Sequence, residues 1–307
     1  MSAGDSTVGR RAFLSGAAAA VGGLAGCVGS LAGGDETSSA TVSVLAAGSL
    51  NNAFENGLRE SVDPAVQIEA HGSARVARLV AEGQKDPDVV SVADVALFDS
   101  PLEPEWFAEF ATNSIVVAYN PETEGGRRIA EAGAEEWYRP LVNDEVALGR
   151  TDPDLDPLGY RALFVLELAS EHYGTDVDLR DSIPTREQIY PETQLVSQFE
   201  TGAIDAAIAY RNMAVERGYE YVDLPVEIDL SDPSYAGQYA SATYELPSGK
   251  VVRGGLISYA STLRDRSPAA TDVFETQITG QYLNEFGFVV PDDYPRFTGD
   301  APDAIAN

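Results

Sequence analysis

The feature that most limits the fold is a unit that occurs twice in succession. Residues 41–47 (TVSVLAA) form a continuous apolar run, Gly48-Ser49-Leu50 a turn, and residues 51–62 a segment with Leu50, Phe54 and Leu58 at helical spacing. Residues 66–70 (VQIEA), His71-Gly72-Ser73 and residues 74–82 then repeat strand, Gly-Ser turn and helix. Further strands are expected over 88–92 and 114–119 (SIVVAY). This order predicts an open parallel α/β sheet whose ligands sit at the carboxyl ends of the strands. A serine hydroxyl beside the free N–H groups of a helix start can hold an oxyanion without a charged partner. Each turn alone is more often a plain N-cap; two in consecutive units carry more weight.

A second set of elements follows. Residues 146–149 (VALG) read as a strand and 161–173 as a helix, joined by Thr151-Asp152-Pro153-Asp154-Leu155-Asp156-Pro157-Leu158-Gly159-Tyr160. Such a loop opens at a helix N-terminus, where N–H groups and the dipole favour negative charge. Gly159 lets the backbone come close to a ligand and Pro157 holds the approach fixed. The loop therefore reads as half of a binding cleft, although Asp152 and Asp154 taken singly fit an Asx-turn or a cap. A polar stretch runs to Tyr190, and Pro191-Glu192-Thr193 opens a helix over 194–200. A buried strand is expected over 204–210 (IDAAIAY), an acidic, turn-rich surface segment over 225–244, and a strand over 254–259. A helix over 269–283 precedes a Pro/Asp-rich tail.

The chain's 307 residues, 44% of them hydrophobic, suffice for a well-buried core in one or two domains. Lysine and arginine number 20 against 49 acids, a formal charge of −29, and only Lys85 and Lys250 are lysines. Abundant carboxylate with almost no lysine suits solubility in concentrated salt, where screening removes self-repulsion, and implies a haloarchaeal source. With no basic stripe to meet phosphates, nucleic acid is not an expected partner.

At the N-terminus, Arg10-Arg11-Ala12-Phe13-Leu14 reads as a twin-arginine export signal, followed by an apolar Ala/Gly-rich run to Ala25 too short to span a membrane stably. It leads into Leu24-Ala25-Gly26-Cys27, which is similar to a lipobox, and Cys27 is the only cysteine. The expectation is a signal over 1–27, lipidation at Cys27, and a small, polar tether over 28–40. No disulfide is possible.

The ordered motifs resemble archaeal molybdate/tungstate-binding proteins of ABC importers. They are Ala47-Gly48-Ser49-Leu50, His71-Gly72-Ser73 with Arg75-Val76, Ser91-Val92-Ala93-Asp94, and Gly149-Arg150-Thr151-Asp152-Pro153 with Asp156-Pro157-Leu158-Gly159-Tyr160-Arg161. Pro191-Glu192-Thr193, Ala209-Tyr210-Arg211, Ile228-Asp229-Leu230-Ser231-Asp232-Pro233 and Ser248-Gly249-Lys250 continue the series. The resemblance spans nearly all of residues 41–290. It implies a two-lobed, type II periplasmic-binding-protein-like α/β fold, each lobe an open, mainly parallel sheet flanked by helices. The lobes would comprise 41–112 with 254–307, and 113–253, hinged near residues 113 and 254. It further implies that Ser49, Ser73, Tyr210 and the backbone N–H of Leu158 bind the oxyanion, while Asp156 and Glu192 ligate its metal. Asp152 competes with Asp156, and Glu187 with Glu192 because the stretch before Pro191 is shorter than the family's usual length. Leu158 stands where family members often carry cysteine.

A carboxylate is repelled by a dianion but attracted to a hard, high-valent metal centre. The paired acids therefore argue against sulfate, phosphate or an organic anion as the solute. An exported hydrolase using Asp156 and Glu192 as an acid/base pair is the other rival. His71 and His172 lack partners at zinc-ligand spacing, and Ser49 and Ser73 lack a nucleophile-elbow context. Tyr160, Tyr173 and Trp137 are read as packing residues, and Arg161 and Arg211 as ion-paired with surrounding acids. The expectation is a non-enzymatic, monomeric lipoprotein on the outer face of the membrane, without a cofactor, whose partners are molybdate or tungstate and ABC permease subunits.

Overall fold

The computed structural model describes residues 41–247 and 249–306, apart from the side chains of Glu192, Thr193 and Ala306. The twin-arginine motif, Cys27, the tether and Ser248 lie outside the described residues. The strands are β1 (Val42–Ala47), β2 (Val66–His71), β3 (Val89–Val92), β4 (Trp106–Asn113), β5 (Ile115–Tyr119) and β6 (Leu148–Gly149). They continue as β7 (Ala206–Tyr210), β8 (Glu220–Asp223), β9 (Thr243–Glu245), β10 (Val251–Arg253), β11 (Ile257–Leu263) and β12 (Arg296–Gly299).

One sheet has the order β12-β4-β11-β3-β1-β2 and a second the order β6-β7-β5-β8, with β9 and β10 as a separate hairpin. In the first sheet β1 pairs in parallel with β2 and β3, as the repeated unit predicts. The remaining pairings, β11 with β3 and β4 and β12 with β4, are antiparallel. In the second sheet only β6 and β7 are parallel; β5 runs antiparallel to β7 and β8. Both sheets are therefore mixed rather than mainly parallel. The cause is connectivity: β4 hands the chain to the second sheet, and β11 re-enters the first from the opposite end.

Continuous apolar runs become strands buried on both faces: Val44, Ala46, Val89, Val117 and Ile208 share one core with Phe54, Leu58, Phe164 and Leu166. The helix Pro157–Tyr173 starts four residues before the expected 161, because Asp156 caps it and Pro157 fits its first turn. Trp137 is fully buried, and Tyr173 joins it through a 3.3 Å bond from Nε1, so both are packing residues as expected.

The chain leaves the first sheet at Asn113 and returns through residues 224–256. The expectation that 225–244 is surface is corrected here. Ile228, Asp229, Leu230, Ser231, Tyr239 and Ala242 are buried. Ile115 N–H donates to Asp229 O at 2.9 Å, Ile257 N–H to Leu230 O at 3.1 Å, and the Thr112 hydroxyl to Ser231 O at 2.7 Å. These bonds knit the outgoing and returning segments side by side. Among the described residues, no helix is long and apolar enough to cross a membrane.

Candidate functional site

Ser49 sits in the 3-10 turn Gly48–Leu50 directly after β1, and Ser73 opens the helix Ser73–Ala81 directly after β2. Because β1 and β2 are parallel and in register, with Ala47 opposite His71, the two turns lie at the same sheet edge. Tyr210 ends β7, and the aspartate loop follows its parallel neighbour β6, so these also share one edge.

The hydroxyls have a common feature. Ser49 Oγ accepts from the Tyr259 hydroxyl at 3.2 Å. Ser73 Oγ accepts from the Ala93 N–H at 3.0 Å. Tyr210 Oη accepts from Arg161 Nη1 at 2.6 Å, with the guanidinium 5.7 Å from the tyrosine ring centre. In each case a protein donor occupies the oxygen, and the hydroxyl's own proton meets no acceptor among the described residues. A hydroxyl so engaged is left to donate.

Arg161 links the two edges electrostatically. Burial opposes its charge, but the facing Tyr210, Tyr160 and Tyr259 hold its pKa above the ordinary value. Burial pushes the Tyr210 pKa up to about 12, Arg161 draws it down, and Tyr259 and Asp156 raise it further. Burial also raises Tyr160, with Asp94 and Asp156 contributing. Tyr160, Tyr210 and Tyr259 therefore act on Arg161, while Asp156 acts on Tyr160 and Tyr210, and Asp94, of the loop after β3, on Tyr160. The expected ion pairing holds for Arg211, whose Nε lies 3.3 Å from Asp223 Oδ1. It is corrected for Arg161, which has a tyrosine and no carboxylate partner among the described residues.

The aspartates divide their work. Asp156 caps the helix Pro157–Tyr173, its Oδ1 accepting from Leu158 N–H at 2.9 Å. That N–H, an expected anion donor, is thus held by the neighbouring carboxylate. Asp152 Oδ1 accepts from Asp154 N–H at 3.0 Å, the Asx-turn anticipated for it. Asp154 receives the Tyr244 hydroxyl at 2.7 Å, which ties the β9–β10 hairpin to the loop. At Gly159 a Cβ would lie 2.5 Å from Asp152 C and 2.7 Å from its oxygen. The glycine is thus required by the loop's own backbone packing.

Glu192 begins the helix Glu192–Glu200; its side chain lies outside the description. Its competitor Glu187 is exposed on the 3-10 turn Arg186–Gln188. His71 pairs with Glu69 at 2.9 Å, and His172 is exposed against the edge of Tyr173. Among the described residues no group of three or more His, Cys, Asp or Glu side chains could hold a metal ion. Sequence reasoning gave no role to Arg150 and Thr151, only 5% and 1% exposed. Arg150 Nη1 and Thr151 Oγ1 have no hydrogen-bond partner among the described residues, and burial lowers the Arg150 pKa against the opposing pull of Asp152. No apolar periodicity marks either residue; their signal is the Gly149-Arg150-Thr151-Asp152-Pro153 motif at the start of the aspartate loop, which carries no role for them by itself.

Two helix-flanked sheets, each presenting polar turns at strand ends, define the class of two-lobed solute-binding proteins. The family model for bacterial extracellular solute-binding proteins matches residues 42–274, and the chain belongs to that family. It is 51% identical over 304 residues, covering 97% of this chain and 98% of the relative, to a Haloferax volcanii protein whose name proposes an ABC-transporter molybdenum-binding role. It is 30% identical over 264 residues, 74% of either chain, to the molybdate/tungstate-binding protein WtpA of Thermococcus kodakarensis. The resemblance seen in the motifs is thus matched along the chain. Among solved structures, the substrate-binding domain of a proposed molybdenum ABC transporter from Clostridium difficile shares the fold. Its TM-score is 0.55 at 14% identity, covering 82% of this chain and 99% of that one.

Proposed function

We propose that this solute-binding protein captures molybdate or tungstate between its lobes and delivers it to the permease of an ABC importer. The observation that carries the reading is the set of three hydroxyls, Ser49, Ser73 and Tyr210, each engaged as acceptor by a protein donor and left to donate. Fully ionised tetrahedral oxyanions need donors of this kind. Arg161 adds a positive charge beside Tyr210, and the named relatives supply the solute class.

Asp156 and Glu192 act as ligands of the metal centre in this reading. A carboxylate that turns from the helix N-terminus to the metal frees Leu158 N–H for an oxyanion oxygen, so the two roles exchange in one movement. The lobes, 41–112 with 254–307 and 113–253, close about the crossing segments near residues 113 and 254. Twin-arginine export and a lipid on Cys27 keep a monomer at the outer face of the membrane. Binding and release complete its task without catalysis.

Isothermal titration calorimetry in high salt with tungstate, molybdate and sulfate tests the reading. Tight one-to-one binding of both metalates, silence for sulfate, and loss of metalate binding in Asp156→Ala/Glu192→Ala with an unchanged fold are expected. Binding of sulfate but not the metalates refutes the solute; retained affinity in the double variant refutes the metal-ligand roles.

A further inference from the structure

Asn113 is fully buried where the chain passes from β4 to β5. Its carboxamide oxygen accepts the backbone N–H of Ser114 at 2.9 Å and that of Asn212 at 3.4 Å. A nitrogen in that place would set donors against donors, so the amide has one workable orientation. The NH2 group must then point the other way. It donates to Asn212 Oδ1 at 2.7 Å and toward Tyr259 Oη at 3.3 Å. Tyr259, 2% exposed, has its oxygen engaged and passes its own proton to Ser49 Oγ at 3.2 Å. Asn212 completes the network by donating from Nδ2 to Ser49 O at 3.1 Å.

Each step leaves the next group one choice, and the direction ends at the Ser49 proton. We propose that Asn113 is a positioning residue that acts through Tyr259 to fix the Ser49 hydroxyl as a donor toward the bound oxyanion. Two backbone N–H groups at the crossing between the sheets thereby set the polarity of a binding turn on the first sheet. A Ser49 free to rotate would divide its time between accepting and donating, and facing an anion with a lone pair forfeits the contact. The inference rests on the reading that Ser49 touches the solute.

The test is a double-mutant cycle on the purified protein, with molybdate as the probe in titration calorimetry. Asn113→Asp keeps Oδ1 for the backbone but replaces the NH2 donor by an acceptor, which draws the Tyr259 proton away from Ser49. Its general repulsion of the anion is common to both backgrounds and cancels in the cycle. Asn113→Asp is expected to weaken molybdate binding at least about tenfold more in the native background than in Ser49→Ala. Tyr259→Phe, uncharged and nearly isosteric, is expected to show coupling of the same sign and stands in should Asn113→Asp fail to fold. Equal losses in both backgrounds for these variants would make the network merely structural and overturn the inference alone. Should Ser49→Ala itself leave affinity unchanged, the assignment of Ser49 to the site falls, and the inference with it.

Discussion

Asp229 lies in the segment that returns the chain to the first sheet and is 5% exposed. Ser231 meets both oxygens of its carboxylate, with the N–H 2.9 Å from Oδ1 and the hydroxyl 2.9 Å from Oδ2. Burial pushes the Asp229 pKa from 3.8 to about 6; the Ser231 bonds oppose the rise, and Asp223 and Asp232 add to it. The folded protein thus holds this proton more tightly than the unfolded chain does. The stabilisation is complete below the unfolded value and is lost as pH rises through the folded one. Above it, the buried charge costs the fold about 3 kcal/mol. Asp229→Asn removes the charge, keeps Oδ1 for the Ser231 N–H, and lets Nδ2 donate to the Ser231 oxygen. The variant should therefore be the more stable protein, by about 3 kcal/mol near pH 8 and about half that near pH 5. Denaturant unfolding at fixed salt across that range measures the difference directly. A difference that stays flat with pH, or an Asn variant less stable at pH 8, would refute the argument.

Three further outcomes follow from the site. Gly159→Ala puts a Cβ 2.5 Å from Asp152 C, so the aspartate loop must shift; a loss of about 1–3 kcal/mol in unfolding free energy is expected, together with weaker molybdate binding by calorimetry. Ser73→Ala removes one donor while the Ala93 N–H loses its acceptor; molybdate affinity should fall about tenfold, with a thermal midpoint close to the native one. Arg161→Met removes the donor that holds Tyr210 Oη and the positive charge beside it. Molybdate affinity should fall at least about tenfold in titration, and an unchanged affinity would exclude Arg161 from the site.

The Gly-Ser units were legible because residues 42–47 and 66–71 are uninterrupted strands with a glycine and a serine at their carboxyl ends, so period and punctuation agree. β4 is hidden in the sequence because Glu109 breaks its apolar run, and β12 because an edge strand with two prolines nearby carries no alternation. The acidity of 225–244 suggested surface, yet Asp229 and Ser231 satisfy one another inside. Composition reports charge, not partner. Strand direction is illegible for the same kind of reason: β11 pairs antiparallel with β3 across some 170 residues, a distance over which no local pattern speaks. Within the site, single residues such as Ser49 could be nominated from their turns. The pairing of Arg161 with Tyr210 and of Ser49 with Tyr259 depends on contacts between distant segments, and no spacing in the chain encodes them.

The charge balance sets one last constraint on how such a site can work. A dianion approaching a chain of formal charge −29 is repelled over roughly the Debye length, about 10 Å at 0.1 M salt and about 3 Å at 1 M. Long-range steering therefore works against capture, and binding must come from short contacts that screening barely touches: hydroxyl donors, the Arg161 guanidinium and the helix N-terminus beyond Asp156. The association rate for molybdate should then rise with ionic strength, whereas sites that gather anions by a positive field lose rate as salt is added. Stopped-flow measurements over a salt range in which the far-ultraviolet circular dichroism stays constant provide the test. Competition from the added anion acts in the opposite direction, so it could not produce a rise. A rate that falls equally with salts of different anions, so that competition is not the cause, would mean that a local positive field around Arg161 outweighs the carboxylates of the whole chain.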